Sequence, residues 1–451
     1  MKKFLLLVLL TAFSLQGITQ FSISTNKRFL LKDGKPFFWL GDTAWELFHR
    51  LNRTDADTYL KRRSEQGFTV IQAVVLAELD GLHTPNANGD TPLLNDDPGK
   101  PNEKYFEQVD YIIDKAASYY INIAMLPTWG DKVFKSSWGK GPEIFNEQKA
   151  AVYAQWLANR YKDRKNIIWI LGGDRIPRNE SDVSIWRAMG NAIMKATANK
   201  AVISFHPQPN KLGSAEWFHQ DAWLSFNMFQ TGHCRNEAVY DKIQAAYNMT
   251  PVKPVMDAEP IYEDHPVCFN VKDLGTSNAY DVRRSAYLDL FAGAFGHTYG
   301  CHDIWQMNSP KHDPVNGPHF SWQDALNLPA ANQMIYVRRL MEAFPMTDRL
   351  PDQSLIQENN TSPTERIQAT RGSDYLLVYS TAGKPFNIVM GKITGARLQG
   401  FWYDPRTGKT ITLTDITNTG SKQFTPPSSS YGKDWVLALY DAAKSYNVNN
   451  D

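Results

Sequence analysis

The sequence lacks the features of several common protein classes. It contains three cysteines, Cys234, Cys268 and Cys301, too few for a disulfide scaffold; one bridge can form, but the spacing does not say which. Lys and Arg together number 48 and Asp and Glu 47, and this net charge of +1 gives no electrostatic case for binding nucleic acid or an anionic membrane. After the first 20 residues, no apolar run reaches the ~18 residues of a membrane helix.

Residues 1–20 have the pattern of a secretory signal peptide. Lys2 and Lys3 precede an apolar run from Phe4 to Leu15, and small or polar residues follow it. The run is too short to span a membrane comfortably. We therefore expect cleavage near residue 20 and a secreted or periplasmic protein.

Aromatic residues are abundant, with 13 Trp, 20 Tyr and 23 Phe making up 12% of the chain. Most of them must fill the core. Many nevertheless stand at the ends of predicted strands, where a flat ring bordered by polar groups suits the C–H face of a sugar. This composition is compatible with a carbohydrate-binding protein.

Residues 21–347 are predicted to form a (β/α)8 TIM barrel preceded by a β-hairpin that turns at Asp33-Gly34. Apolar runs alternate with amphipathic helices, which indicates a parallel sheet buried on both faces. The predicted strands are Phe37–Gly41, Thr69–Leu76, Ile121–Trp129, Asn166–Gly172, Ala201–His206, Ala222–Phe229, Pro254–Ala258 and His297–Trp305. The predicted helices are Asp55–Gln66, Glu103–Tyr120, Glu147–Lys162, Ser181–Asn199, Asn236–Tyr247, Val282–Phe295 and Asn332–Ala343.

A doubly wound open sheet is the alternative. Its glycine-rich dinucleotide turn is missing after the first strand, and the Gly172-Gly173 pair lacks the required pattern. The barrel is therefore the better interpretation.

After Phe344 the pattern changes to short strands without intervening helices. Regular strands separated by turns, such as the one at 404–408, indicate a small β-sandwich domain over residues 348–443. Residues 444–451 form a tail that we expect to be disordered.

In a TIM barrel the active site lies at the carboxyl ends of the strands, so the residues ending each apolar run are the candidates. Asp174 ends the fourth strand and Glu259 the seventh, in runs so apolar that a charge there needs a reason. Glycoside cleavage uses two such carboxyls, about 5–5.5 Å apart for retention of configuration and about 6.5–9.5 Å apart for inversion. The sequence does not give that distance.

Asp257 competes with Glu259, because period-2 alternation places both on one face of the strand. We favour Glu259, which is nearer the strand's end. Other strand ends supply candidate substrate-binding residues: Asp42, Trp45, Gln72, Trp129, His206, Gln230, Tyr299, His302 and Trp305. Among these, Trp129 and Trp305 suit sugar platforms, and Asp42 and Gln72 suit ring hydroxyls, although Asp42 can equally cap a helix.

A metal site among His297, Cys301, His302 and Asp303 is disfavoured. Strand alternation turns His302 to the face opposite His297 and Cys301, so the donors do not converge. We expect neither a metal nor any other cofactor.

Four stretches carry a resemblance to a known family: FFWLGDTAWELFHRL, GFTVIQAVVL, WILGGDR and KPVMDAEPIYE. They resemble the apiosidase-like barrels (glycoside hydrolase family 140 and relatives) of clan A. The segment GFWYDPRTG resembles the collagen-binding-like domain that follows such barrels. The resemblance covers nearly all of the chain after residue 20.

This resemblance implies a retaining glycosidase in which Asp174 is the acid/base and Glu259 the nucleophile. It also implies a plant cell-wall pectin substrate, with apiose-containing side chains of rhamnogalacturonan II as the sharpest expectation. The alternatives are a non-catalytic carbohydrate-binding or adhesion protein, for which both carboxyls would be dispensable, and a metal-dependent hydrolase, which chelation would inactivate.

Overall fold

The computed structural model describes residues 21–358 and 362–448, so the predicted signal peptide lies outside the described residues. The described chain begins with a small antiparallel sheet of β1 (Phe21–Ile23), β2 (Leu30–Lys32) and β3 (Lys35–Pro36). The turn between β2 and β3 is made by Asp33 and Gly34, with φ of 51° and 76°. Positive φ at both positions belongs to the tight hairpin turn that Asp-Gly favours, and the predicted hairpin is confirmed.

Eight parallel strands form the barrel in the order β8-β7-β6-β5-β4-β11-β10-β9. Their bounds are β4 (Trp39–Thr43), β5 (Val70–Leu76), β6 (Asn122–Thr128), β7 (Ile167–Gly172), β8 (Ile203–His206), β9 (Asn227–Gln230), β10 (Val255–Glu259) and β11 (Gly296–Tyr299). Between β8 and β9 the Ser204 hydroxyl donates a hydrogen bond of 2.7 Å to the Phe226 carbonyl, which helps to close the ring. The predicted (β/α)8 barrel is confirmed.

Helices surround this barrel. Their bounds are α1 (Leu47–Arg50), α2 (Arg53–Glu65), α3 (Glu103–Ser118), α4 (Glu147–Tyr161), α5 (Glu180–Ala196), α6 (Ala215–Phe218), α7 (Val239–Tyr247), α8 (Val271–Leu274), α9 (Ala279–Phe291), α10 (His302–Trp305), α11 (Trp322–Ala325) and α12 (Pro329–Ala343). Five of the longer ones start at an asparagine whose side chain accepts a backbone N–H of the first turn: Asn52, Asn102, Asn146, Asn179 and Asn278. Such a cap contributes about 1 kcal/mol to helix stability and fixes where each helix begins.

Two predicted strands are at least twice as long as the real ones. The eighth stops at Tyr299, and His302–Trp305 forms the helical turn α10 instead of continuing the strand. The sixth begins only at Asn227, because the residues before it form a turn in which the Leu224 amide donates to the Asp221 carbonyl. Apolar residues in these loops pack under the barrel's ends, and their pattern is therefore indistinguishable from that of a strand.

The last part of the chain is a β-sandwich, as predicted. A six-stranded sheet has the order β12-β13-β14-β19-β16-β17 and faces the pair β15-β18. The bounds are β12 (Leu350–Pro351), β13 (Ile367–Arg371), β14 (Tyr375–Ser380), β15 (Phe386–Val389), β16 (Arg397–Tyr403), β17 (Thr410–Thr417), β18 (Ser421–Phe424) and β19 (Trp435–Asp441). Leu376, Leu437 and Trp402 contribute to the core between the sheets.

The sandwich packs on the side wall of the barrel through α9 and α12. Arg283 of α9 forms a buried ion pair with Asp434, 2.7 Å between Nη2 and Oδ1, and Tyr287 stacks on Tyr379 with ring centroids 4.9 Å apart. The Tyr403 hydroxyl donates to the Tyr336 carbonyl of α12. These contacts place the sandwich beside the barrel and away from its mouth.

The first residues of the tail are ordered, contrary to the expectation of disorder. The Tyr446 hydroxyl donates to Asp374 at 2.9 Å, and Val448 is buried. Both side chains carry enough apolar surface to dock on the sandwich. Among the described residues, no helix is long and apolar enough to cross a membrane.

Candidate active site

Asp174 leaves β7 through a backbone turn with three consecutive positive φ values: 87° at Gly172, 113° at Gly173 and 53° at Asp174. A Cβ atom on Gly172 would lie 2.3 Å from the His206 carbonyl oxygen, and one on Gly173 would lie 2.8 Å from the Gly130 amide nitrogen. Glycine is therefore required twice, and Asp174 itself holds a left-handed conformation that a non-glycine residue rarely adopts. Such local strain is typical of functional sites.

Glu259 reaches the barrel mouth because β10 changes its register. The pairing of β10 with β9 shifts between Asp257 and Glu259, which is a bulge. Asp257 accepts hydrogen bonds from the Thr231 amide and hydroxyl and lies near Asp289 of α9, in the layer between sheet and helices. The expectation that Asp257 and Glu259 share a face is wrong, because the bulge breaks the alternation.

Two histidines hold the Glu259 carboxylate. His206 Nε2 lies 3.1 Å from Oε2, and His233 Nε2 lies 3.3 Å from Oε1. Burial by itself would raise the pKa of Glu259, but the two histidines beside its carboxylate outweigh that effect and hold the pKa far below its usual range. Glu259 is therefore ionised at neutral pH.

Asp174 has the opposite character. Burial and, after it, the nearby Glu259 carboxylate raise the pKa of Asp174 to about 7, against smaller opposing effects of His206, Arg175 and a hydrogen bond from Gln230. Its side chain remains 22% exposed. The two carboxyls thus form a pair with one protonated and one ionised member, which is the arrangement that acid and nucleophile roles require.

Two of the predicted tryptophans, Trp45 and Trp129, pack beside His206, which contacts Glu259. Trp45 packs against Trp129 and against His206, with ring centroids 5.2 Å and 5.3 Å apart. The Trp305 indole N–H donates to His302 Nδ1 at 3.3 Å, so His302 orients Trp305. The His302 ring also contacts the Asn316 carbonyl through Nε2.

Gln72 lies inside the barrel beneath the site. Its side-chain amide donates a hydrogen bond of 2.9 Å to the Ala258 carbonyl, next to Glu259. The side chain is fully buried, so Gln72 braces the end of β10 instead of lining an open surface.

Asp42 and Tyr299, which we predicted to bind substrate, face the other way. Asp42 Oδ2 lies 2.6 Å from Arg63 Nε and accepts a hydrogen bond from Tyr59, both on α2. The Tyr299 hydroxyl donates to Glu263 at 2.8 Å. Both predicted residues are fully buried between the sheet and the helices. Their side chains lie on the face of β4 and β11 that points to the helices, so a sugar in the barrel mouth cannot reach them.

The predicted list missed residues beside the pair, among them His233, which contacts Glu259, and Tyr262, whose hydroxyl neighbours both carboxyls. His233 follows β9 by three residues, and Cys234 beside it forms a disulfide with Cys268 in the loop after β10. This bridge ties the His233 loop to the chain segment that follows Glu259. Cys301 is free and buried. In the sequence, the one sign that His233 lies at the site is its closeness to the end of the sixth predicted strand.

Further charged groups lie on the Asp174 side of the mouth. The Glu78 carboxyl, half-buried after β5, has Glu46, Asp174 and Asp131 as neighbours, and burial together with these acidic groups raises its pKa well above the usual range. Across residues 21–358 and 362–448, no group of three or more His, Cys, Asp or Glu side chains is placed to hold a metal ion.

An eight-stranded α/β barrel with a carboxylic acid and a carboxylate at the ends of its fourth and seventh strands belongs to the class of barrel glycoside hydrolases. Within this class the chain belongs to the apiosidase-like family, whose catalytic domain matches residues 24–348. Residues 350–440 match the family described as a collagen-binding domain of a collagenase. No curated protein matches the sequence significantly.

Similar solved structures are described as glycoside hydrolases, the same broad class. A family 5 glycoside hydrolase from Bacteroides vulgatus is 37% identical, with a TM-score of 0.87 over 95% of this chain and 94% of that one. A structure described as a glycoside hydrolase is 36% identical, with a TM-score of 0.87 over 95% and 98% of the two chains. Another Bacteroides vulgatus glycoside hydrolase, at 14% identity and a TM-score of 0.68 over 94% and 83%, shares the fold.

Proposed function

We propose that the protein is a secreted retaining glycosidase that cleaves pectic glycans by double displacement, with Asp174 as acid/base and Glu259 as nucleophile. The observation that supports these roles is the contrast between the two carboxyls. Glu259 is held ionised by His206 and His233, whereas burial and the Glu259 charge keep Asp174 protonated up to about pH 7.

In the first step, a Glu259 oxygen attacks the anomeric carbon and the glycosidic C–O bond breaks. The electron pair of the broken bond goes to the leaving-group oxygen, and that oxygen takes the proton from Asp174. In the second step, the ionised Asp174 accepts a proton from water, whose oxygen attacks the same carbon and releases Glu259. Each step restores the protonation state that the other needs.

Family membership supports an apiose-containing pectic substrate, with side chains of rhamnogalacturonan II as the first to test. Secretion is supported by the pattern of residues 1–20 and by the Cys234–Cys268 bridge, since disulfides persist in oxidising compartments.

Azide rescue tests the two roles separately. Wild type, Asp174→Ala and Glu259→Ala are incubated with pectic oligosaccharides in which the wild type releases a sugar. We expect each substitution to lower activity by at least about 10²-fold. With the dinitrophenyl glycoside of that sugar, whose leaving group needs no proton, azide should restore turnover in both variants, yielding a glycosyl azide of retained configuration from Asp174→Ala and of inverted configuration from Glu259→Ala.

Asp257→Ala is the matched control, because this carboxyl lies on the same strand as Glu259 and is fully buried but faces the helices. No glycosyl azide should form with it. Exchanged configurations for the two site variants would overturn the role assignment. A wild type that releases nothing from any pectic fraction would overturn the substrate class.

A further inference from the structure

An exposed tryptophan lies on the loop between β6 and α4, beside the Asp174 side of the barrel mouth. The Trp138 side chain is 48% exposed, although a ring of this size is ordinarily well buried. The loop that carries it is rigidly built. Asp131 accepts hydrogen bonds from the Lys140 and Gly141 amides, and Lys132 donates to the Ala77 carbonyl after β5. The exposure of Trp138 is therefore a property of an ordered surface.

Arg175 joins this tryptophan to the acid. The Arg175 guanidinium carbon lies 4.4 Å from the Trp138 ring centroid, a cation–π contact. Arg175 donates to the carbonyls of Phe134 and Lys135 in the same loop and to the carbonyl of Asp174, and it is only 2% exposed. One face of the indole thus rests on a guanidinium that is fixed by three backbone carbonyls.

The contacts of the two carboxyls place Trp138 relative to the scissile bond. Arg175 Nη1 lies 3.9 Å from Asp174 Oδ2, whereas Glu259 is bounded by His206 and His233 on the other side of the pair. The acid gives its proton to the leaving oxygen, so the sugar that departs must lie on the acid's side of the mouth.

We propose that Trp138, backed by Arg175, is the platform on which the C–H face of the leaving-group sugar ring stacks. This inference rests on the proposed role of Asp174 as the acid. It assigns Trp138 to substrate selection rather than to bond cleavage. Turnover of substrates with a sugar as leaving group then depends on Trp138, and turnover of substrates without a ring at that position does not.

The test compares two leaving groups. Wild type, Trp138→Ala, Trp138→Phe and Tyr120→Ala are assayed on a pectic oligosaccharide and on the glycosyl fluoride of the sugar that the enzyme releases from it. Tyr120 is the matched control, because it is 89% exposed but lies just before β6, at the opposite end of the barrel. For Trp138→Ala we expect the ratio of kcat/KM on oligosaccharide to kcat/KM on fluoride to fall about 10- to 100-fold, the loss of one stacked ring. Trp138→Phe should recover most of the ratio, and Tyr120→Ala should leave it unchanged.

A purely structural role for Trp138 predicts a different result. If its loss only loosened Arg175 and Asp174, turnover of the oligosaccharide, which needs the Asp174 proton, would fall and turnover of the fluoride, which needs none, would remain. The pH profile would then shift while affinity for the oligosaccharide stayed unchanged, and the platform would be refuted. Affinity for the oligosaccharide, measured by calorimetry in a Glu259→Gln background, separates this inference from the proposed function because it needs no turnover. Equal affinity with and without Trp138 refutes the platform, whereas a wild type that hydrolyses nothing refutes only the hydrolase.

Discussion

At the residue scale, two carboxyls of similar chemistry differ because their neighbours differ. Glu259 has two histidines within 3.3 Å, and Asp174 has a half-buried side chain, a left-handed backbone and the Glu259 charge beside it. The sequence shows both acids at strand ends, but it could not show which one stays protonated. That depends on His206 and His233, which come from β8 and from the loop after β9.

This polarity sets the pH dependence. We expect kcat/KM to fall above about pH 7, where Asp174 loses the proton that the leaving group needs. On the acid side of the pH profile, activity should persist to a pH well below the usual pKa of a glutamate side chain, because the histidines keep Glu259 ionised. A pH profile from 3 to 9 measures both limbs. His233→Asn should move the acid limb upward and leave the alkaline limb in place; a wild type that is most active at pH 9 would contradict the assignment of Asp174.

Asp42 tests, at the same scale, whether a side chain that faces the helices takes part in substrate binding. Asp42→Ala leaves the Arg63 guanidinium buried without its carboxylate, so we expect a loss of about 3–5 kcal/mol in the free energy of unfolding. KM of the folded fraction should stay within about 2-fold of wild type, since no substrate reaches this position. Denaturant titration and steady-state kinetics measure the two effects. A large rise in KM with unchanged stability would show that Asp42 binds substrate after all.

At the element scale, the succession of strands and helices could be predicted because the strands are largely apolar on both faces and five of the longer helices start at an asparagine cap. The exceptions are local. A bulge in β10 separates Asp257 from Glu259, and α10 replaces the end of the eighth predicted strand. Bulges and short loop helices depend on contacts with other parts of the chain, and a period-2 pattern does not contain that information. The wrong predictions for Asp42 and Tyr299 have a simpler origin. The sequence pattern shows that side chains alternate between the two faces of a strand, but it does not show which face points to the barrel mouth.

The disulfide between the loops after β9 and β10 allows a prediction about these elements. Cys234→Ser with Cys268→Ser should lower the free energy of unfolding by about 2–4 kcal/mol, as expected for a loop of 34 residues. It should also lower kcat/KM and raise the acid limb of the pH profile, because His233 lies next to the bridge. Cys301→Ala, which keeps the bridge, is the control. Unchanged kinetics in the double variant would show that the loop is held without the bridge.

At the scale of the whole molecule, barrel and sandwich share packed surface. Tyr375, Tyr379 and Tyr403 of the sandwich belong to the same hydrophobic cluster as the helices of the barrel. The sandwich therefore supports the side wall through α9 and α12 and contributes no side chain to the described site. The match of this domain to a collagen-binding family involves no residue of the described site.

The interdomain ion pair tests this supporting role. Asp434→Ala leaves Arg283 buried without its partner and removes the acceptor of the Tyr379 hydroxyl. We expect a loss of about 3–5 kcal/mol in the free energy of unfolding, with kcat and KM near wild type where the protein is folded. Calorimetry should show one unfolding transition for the wild type. Two well-separated transitions in the wild type would mean that the domains are energetically independent.

The central claim is that Glu259 attacks the anomeric carbon while Asp174 delivers the proton. It is tested most directly by NMR of the anomeric protons during the first minutes of oligosaccharide hydrolysis, before the released sugar equilibrates between anomers. The account predicts that the first sugar to appear has the anomeric configuration of the bond that was cut. First appearance of the opposite anomer would mean that water attacks the sugar directly, and Glu259 could then not be the nucleophile.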